Sequence, residues 1–93
     1  MNRILLLEDD LSLINGLSFA FKKQGFEADV ARTIKDADNL WGDGKYDLLV
    51  LDVSLPDGSG FDFCRNVRQV SKVPIIFLTA SDEETSIIMG LDI

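Results

Sequence analysis

The chain has 93 residues, enough for one modest hydrophobic core and too few for two domains. Its 16 acidic and nine basic residues give a net charge of −7. This balance argues against a nucleic-acid-binding surface, because phosphate binding needs clustered Lys and Arg. It is compatible with hard cations or basic protein partners.

A single cysteine, Cys64, cannot form an internal disulfide. This favours a reducing, intracellular setting, and we expect Cys64 to fill the core from an apolar helical face. The apolar run at residues 4–7 is too short for a signal-peptide core, and no stretch approaches the length of a membrane span. We therefore expect a cytoplasmic protein with no membrane contact.

The first half of the chain alternates strand and helix patterns. Residues 3–7 predict a buried strand that runs into three acidic residues. The helix that follows has Asp10 as its predicted N-cap and Gly25 as its left-handed stop. Residues 26–31 alternate apolar and polar side chains, as an edge strand does. Thr33 is the predicted cap of a second helix, which ends at a Gly-Asp-Gly stretch.

A central strand is predicted at residues 48–51, four apolar residues between Asp47 and Asp52. A half-exposed strand would alternate with polar residues, so this run indicates burial on both faces. The Leu-Pro-Asp-Gly sequence at residues 55–58 has the composition of a tight turn.

The second half predicts two helices and one strand. A third helix begins at about Ser59, and the side chains expected on its inner face are Phe61, Cys64 and Val67, with Phe63 and Val70 as further candidates. A fourth strand is predicted over residues 74–79. The predicted fourth helix is capped by Ser81 and Glu84 and bears Ile87, Ile88 and Leu91.

This alternation of strands and helices is typical of an α/β fold with a parallel sheet, right-handed crossovers and helices on both faces. All strands of such a sheet have their carboxyl ends at one edge, where open α/β sheets place their chemistry. The residues expected at that edge are Glu8, Asp9 and Asp10, then Asp52, then Thr79. Provided that the first, third and fourth strands are neighbours, the acidic side chains meet there.

Such a meeting of carboxylates needs a counter-charge. Two carboxylates about 4 Å apart repel by roughly 4 kcal/mol at an effective dielectric constant near 20. The fold must therefore protonate one of Glu8, Asp9 and Asp52 or neutralise them with a cation. With oxygen ligands and no histidine in the chain, the predicted cation is Mg²⁺, with Mn²⁺ or Ca²⁺ as alternatives. The other interpretation is that these acids only cap the first helix, which suits Asp10 best.

Three motifs together resemble the receiver domain of two-component response regulators: residues 4–10, residues 52–60 and Thr79-Ala80. The resemblance covers residues 1–93 as one domain. It implies a flavodoxin-like (CheY-like) doubly wound parallel sheet with strand order 2-1-3-4. The Leu-Pro-Asp-Gly sequence and the Gly-Leu-Asp stretch at residues 90–92 resemble the subfamily with a winged-helix DNA-binding domain. Contact with DNA, and hence regulation of transcription, would then come only through a domain absent from this chain.

The resemblance also implies roles for individual residues. Asp52 would accept a phosphoryl group from a sensor histidine kinase, as an Asp nucleophile attacking a phosphohistidine. Asp9 and Asp52 would bind magnesium directly, together with the backbone carbonyl of Ser54, and Glu8 would act through water. Thr79 would be the switch hydroxyl that moves toward the phosphoryl group. Any catalysis would be limited to transfer onto Asp52 and hydrolysis of the product.

The chain departs from the family pattern at its C-terminal end. Family members continue into a fifth strand, a Lys-Pro turn and a fifth helix, whereas this chain ends at Ile93. We therefore expect an incomplete receiver domain without the lysine that pairs with the phosphoryl oxygens. The fourth strand would have an open edge, and burial of each of its apolar side chains is worth about 1.5–3 kcal/mol. Self-association through that edge is the predicted consequence.

Other functions fit parts of the pattern. A dehalogenase-type phosphatase needs a second Asp two residues after the nucleophile, where this chain has Ser54. A flavodoxin-type cofactor site needs a first loop that accepts phosphate, and residues 8–10 would repel it. A phosphorylation-independent protein-interaction module, or an inactive receiver fragment, remains the alternative from a different class.

Overall fold

The computed structural model describes residues 2–80 and 85–89, with side chains through residue 78. In chain order the elements are β1 (Arg3–Leu7), α1 (Leu11–Lys23), β2 (Glu27–Ala31), α2 (Ile34–Asp43), β3 (Leu48–Asp52), β4 (Ser54–Leu55), β5 (Gly58–Ser59), α3 (Gly60–Arg68), β6 (Ile75–Ala80) and β7 (Thr85–Met89). None of the helices within these ranges has the length and hydrophobicity that a transmembrane span requires.

The main sheet has the strand order β2-β1-β3-β6-β7, and β4 and β5 form a separate small hairpin. Strands β2, β1, β3 and β6 are parallel. This confirms the predicted α/β fold and the order 2-1-3-4 of the four predicted strands. Leu7 at the end of β1 pairs with Leu51, and Asp52 at the end of β3 pairs with Leu78. Strands β1 and β3 therefore end side by side at one edge of the sheet, and β6 continues past Leu78 to Ala80 at the same edge.

Strand β1 is buried on both faces, as its apolar run predicts. Leu5 and Leu7 point to a core that α2 and α3 cover, whereas Ile4 and Leu6 point to a second core under α1. All four side chains are at most 1% exposed. Strand β3 repeats this pattern, with Leu49 and Leu51 in the first core and Val50 in the second. Close packing on both faces gives the carboxyl ends of β1 and β3 a rigid support.

The predicted helix ends of the first half are confirmed. Asp10 Oδ1 accepts the backbone N–H of Ser12 at 2.9 Å and so caps α1. Gly25 follows α1 with φ of +88°, a conformation that suits glycine. At the start of α2, Thr33 Oγ1 accepts the N–H of Asp36 at 3.1 Å.

The inner face of α3 differs in part from the prediction. Phe63, Cys64 and Val67 are buried, which confirms Cys64 as a core residue. Val70 is 77% exposed because it lies beyond the end of the helix and no longer follows its inner face. Phe61 is 37% exposed and packs at the rim, with its ring centroid 4.8 Å from that of Phe77.

The predicted fourth helix is wrong over residues 85–89, which form β7. This strand pairs antiparallel with β6, with Thr79 opposite Ser86 and Ala80 opposite Thr85. Three of its five residues, including Ile87 and Ile88, are β-branched, which favours an extended backbone. The remainder of the helix prediction, including Ser81, Glu84 and Leu91, lies outside the described residues.

The prediction of an open edge on the fourth strand is also wrong. The side of β6 away from β3 is paired with β7 from Ile76 through Ala80. An unpaired strand edge exposes backbone N–H and C=O groups that need partners, and β7 supplies them from the same chain. The edge through which self-association was predicted is therefore occupied.

Gly60 connects this fold to the functional edge of the sheet. Its N–H donates to the carbonyl of Val53 at 2.8 Å. A Cβ atom at Gly60 would collide with the carbonyl oxygen of Asp52. The first turn of α3 therefore rests directly on the backbone at the end of β3.

We expect Gly60→Ala to destabilise the chain by about 1–3 kcal/mol, because the added methyl group must push α3 away from β3. Alanine is normally better than glycine inside a helix by up to about 1 kcal/mol, so the expected sign is the reverse of intrinsic propensity. Gly16→Ala in α1 is the matched control, since nothing lies within 4 Å of its new Cβ. Urea unfolding measures both variants, and equal stability of the two would contradict the close approach.

Candidate metal centre

Three carboxylates meet at the carboxyl edge of the sheet. Glu8 and Asp9 follow β1, and Asp52 ends β3. One oxygen from each lies within 4.8 Å of the other two. The structure thus brings together three of the four predicted metal-binding residues, from two separate parts of the chain.

Glu8 is the buried member of this cluster, with 2% of its surface exposed. Its Oε2 accepts the backbone N–H of Asp9 at 2.8 Å and that of Asp10 at 3.1 Å. Burial raises the pKa of Glu8 to about 7; the N–H of Asp10 opposes this rise, and repulsion from Asp52 adds to it. A carboxyl group with this pKa is balanced between its neutral and charged forms near neutral pH.

Asp10 does not belong to the cluster. Its Oδ1 accepts the N–H groups of Ser12 and Leu13, at 2.9 and 3.2 Å. The capping interpretation is therefore correct for Asp10, and Glu8 and Asp9 remain as the two acids of the first loop that face Asp52.

The ligand chemistry of the cluster fits a hard divalent cation, since all three groups offer carboxylate oxygens. Oxygens bound to one Mg²⁺ at about 2.1 Å lie at most about 4.2 Å apart. A spread of up to 4.8 Å needs a small side-chain shift or a water molecule between one carboxylate and the ion. Burial is the main cause of the raised pKa of Glu8, and the nearby charge of Asp52 adds to it, so a bound cation would favour the ionised form of this carboxyl group.

Ser54 and Thr79, the other predicted site residues, lie close in the chain to Asp52 and to its β6 partner Leu78, respectively. Asp52 is half-buried, and its Oδ1 accepts the N–H of Val53 at 2.8 Å. Ser54 begins the β4–β5 hairpin and pairs with Ser59. Thr79 follows Leu78, the β6 residue that pairs with Asp52, so its backbone is at the functional edge. Its side chain lies outside the described residues.

Two charged residues near the site were not singled out from the sequence. Arg32 comes directly after β2, and its Nη2 donates to the carbonyl of Asp9 at 3.1 Å. Asp57, in the β4–β5 turn, accepts the N–H groups of Ile34 and Lys35, at 2.7 and 3.1 Å. The position of Arg32 directly after a strand could have identified it as a site residue, because the acidic cluster was predicted from the same kind of position. Nothing in the local sequence distinguishes Asp57 from an ordinary turn residue.

Glu8→Gln should change how stability depends on pH in the absence of divalent cations. The folded-state pKa of Glu8, about 7, lies above its ordinary value of 4.5. With respect to this group, the folded state of the wild-type chain is most stable below pH 4.5, and it loses stability as the pH rises toward 7. We expect this loss to be on the order of 2 kcal/mol.

The variant lacks that titration and should lose less stability over the same range. Urea unfolding in EDTA at about pH 5 and about pH 8 compares the two proteins. Added Mg²⁺ should restore stability to the wild type at the higher pH, and less so to Glu8→Gln. Parallel pH profiles for the two proteins would contradict a raised pKa of Glu8.

Comparison with known proteins places this geometry in a family. The response regulator receiver domain matches residues 4–93. Uncharacterized transcriptional regulatory protein YvcP of Bacillus subtilis (strain 168) is 37% identical over 92 residues, which cover 99% of this chain and 39% of that protein. The chain spans about two fifths of the length of the curated relatives it matches.

Solved structures agree with this match. Response regulator protein TrrA from Thermotoga maritima, in complex with Mg(2+)-BeF, has a TM-score of 0.82 at 31% identity, covering 89% of this chain and 73% of that one. A crystal structure of histidine kinase ThkA in complex with TrrA has a TM-score of 0.79 at 33% identity, covering 86% and 70%. The acidic edge, the parallel sheet and these matches lead to one conclusion: the chain belongs to the response regulator receiver domain family.

Proposed function

We propose that this chain accepts a phosphoryl group on Asp52 from a phosphohistidine of a sensor histidine kinase. The observation that carries this proposal is the meeting of Glu8, Asp9 and Asp52 at the carboxyl edge of two adjacent parallel strands. Mg²⁺ is the proposed cofactor, held directly by Asp9, Asp52 and the carbonyl of Ser54, with Glu8 acting through water. Mn²⁺ and Ca²⁺ have the same oxygen preference and could take its place.

The transfer requires an ionised Asp52 in a fixed orientation. A carboxylate oxygen of Asp52 forms a bond to phosphorus while the bond from phosphorus to the histidine nitrogen of the donor breaks, and that nitrogen keeps the electron pair. The hydrogen bond from the N–H of Val53 to Asp52 Oδ1, at 2.8 Å, orients the carboxylate. When bound, the cation would offset the negative charge that the incoming phosphoryl group adds.

The remaining roles are proposed on the same basis. Thr79, whose backbone follows the β6 partner of Asp52, would donate its hydroxyl to the phosphoryl group. The TrrA complexes with Mg(2+)-BeF and with a histidine kinase support the proposed cofactor and partner. Two relatives are named transcriptional regulatory proteins, and on that basis regulation of transcription is the proposed output, with DNA contacted through segments other than this chain. The proposed location is the cytoplasm, where such kinases present their phosphohistidine.

Acetyl phosphate with Mg²⁺ tests the proposal without a kinase. We expect the mass of one phosphoryl group to be added to the chain, the peptide containing Asp52 to carry it, and EDTA to prevent it. Asp52→Asn should abolish the gain. Asp47→Asn is the matched control, because Asp47 lies just before the same strand, at its opposite end, and should leave the gain unchanged.

Two results would count against the proposal. An equal mass gain in Asp52→Asn would move the modification to another residue. No gain in the wild-type chain, with Mg²⁺ bound, would favour a protein-interaction module that works without phosphorylation.

A further inference from the structure

The loop that carries Glu8 and Asp9 and the loop that follows Asp52 are both hydrogen-bonded to residues around the start of α2. The first loop, after β1, contains Asp9, whose carbonyl accepts a hydrogen bond from Arg32 at 3.1 Å. The second loop, after β3, contains Asp57, which accepts the N–H groups of Ile34 and Lys35. Neither Arg32 nor Asp57 has a part in the chemistry proposed above.

Asp57 binds the start of α2 with both carboxylate oxygens. Oδ1 accepts from Ile34 at 2.7 Å, and Oδ2 accepts from Lys35 at 3.1 Å. These are two of the N–H groups that a helix leaves without intrahelical partners at its first turn. The N–H of Ile34 holds the pKa of Asp57 below its usual value, with the N–H of Lys35 adding to the effect. Asp57 is therefore ionised at neutral pH, the form that both hydrogen bonds require.

The β4–β5 hairpin that carries Asp57 depends on such outside contacts. It contains only two residue pairs, Ser54 with Ser59 and Leu55 with Gly58. A ribbon this short is not stable by itself, so its position is decided by what it packs against. Leu55 packs into the core under α2 and α3, and the Asp57 carboxylate supplies the directional contact. Ser54, the proposed carbonyl ligand, lies at the open end of this hairpin.

We propose that Asp57 and Arg32 are positioning residues that fix the two metal-binding loops to a common support at the start of α2. Arg32 holds the Asp9 backbone, and Asp57 holds the hairpin that follows Asp52. Their joint effect is to set the spacing between Asp9 and the proposed carbonyl ligand at Ser54 before a cation binds. This inference rests on the proposed function, because it concerns the same Mg²⁺ site.

The experiment measures Mg²⁺ binding directly, by isothermal titration calorimetry on the whole chain. Removing a residue that holds metal ligands in place through hydrogen bonds typically weakens metal binding by about 10-fold or more, and we expect a loss of about 10-fold for Asp57→Ala. Asp57→Asn keeps one acceptor oxygen and should recover part of the affinity. Arg32→Ala should weaken binding in the same direction.

Asp36→Ala is the matched control. Asp36 lies in the first turn of α2, is exposed and carries the same charge, and the hydrogen bond it makes there is donated by its own backbone N–H to Thr33. The Asp36→Ala substitution removes a negative charge from the same end of α2 without breaking the hydrogen bonds that hold the hairpin. Urea unfolding in EDTA checks that all variants are folded and separates a loss of stability from a loss of metal affinity.

The inference is overturned if Asp57→Ala binds Mg²⁺ as tightly as the wild type, or if Asp36→Ala loses as much affinity as Asp57→Ala. These failures leave the proposed function intact, since wild-type phosphorylation on Asp52 is measured separately. A wild-type chain that binds no Mg²⁺ would overturn both proposals.

Discussion

Repulsion among Glu8, Asp9 and Asp52 is the constraint on which the rest of the structure depends. The parallel pairing of β1 with β3 brings their carboxyl ends together, so Glu8 and Asp9, which follow β1, lie close to Asp52 at the end of β3. Burial of Glu8 makes the repulsion stronger, because less water is available to screen the charge. The divalent cation proposed for this site would relieve the repulsion, and the strand pairing places the carboxylates where such an ion could bind them.

The surrounding packing keeps the site in this unfavourable arrangement. Strands β1 and β3 are covered on both faces by apolar side chains, which makes their ends rigid. The first turn of α3 lies against the backbone of Asp52 and tolerates only glycine at position 60. The segment around the start of α2 holds both loops from the side, since Arg32 donates to the carbonyl of Asp9 and the N–H of Ile34 donates to Asp57. The core therefore supports the site from below, and helix starts restrain it from its flanks.

Membership of the receiver domain family connects this geometry with a signalling role. The family match covers nearly the whole chain, while the chain covers about two fifths of its curated relatives. What those longer proteins do through their other segments is a separate matter from the chemistry of the acidic edge. The functional argument for this chain accordingly depends on its carboxylates and on the loops that hold them.

The sequence alone determined the features that depend on near neighbours in the chain. The buried strands, the helix caps at Asp10 and Thr33 and the order of β1, α1, β2, α2, β3, α3 and β6 follow from local patterns. A parallel sheet in which β1 and β3 are neighbours then implies that the acids meet. Only the tertiary structure decided which element pairs with the outer edge of β6. A β-branched segment after a helix-cap signal is compatible with a helix or a strand, and the presence of a partner strand decides between them. It also revealed the links from Arg32 and Asp57, since a hydrogen bond between residues 23 positions apart has no local signature.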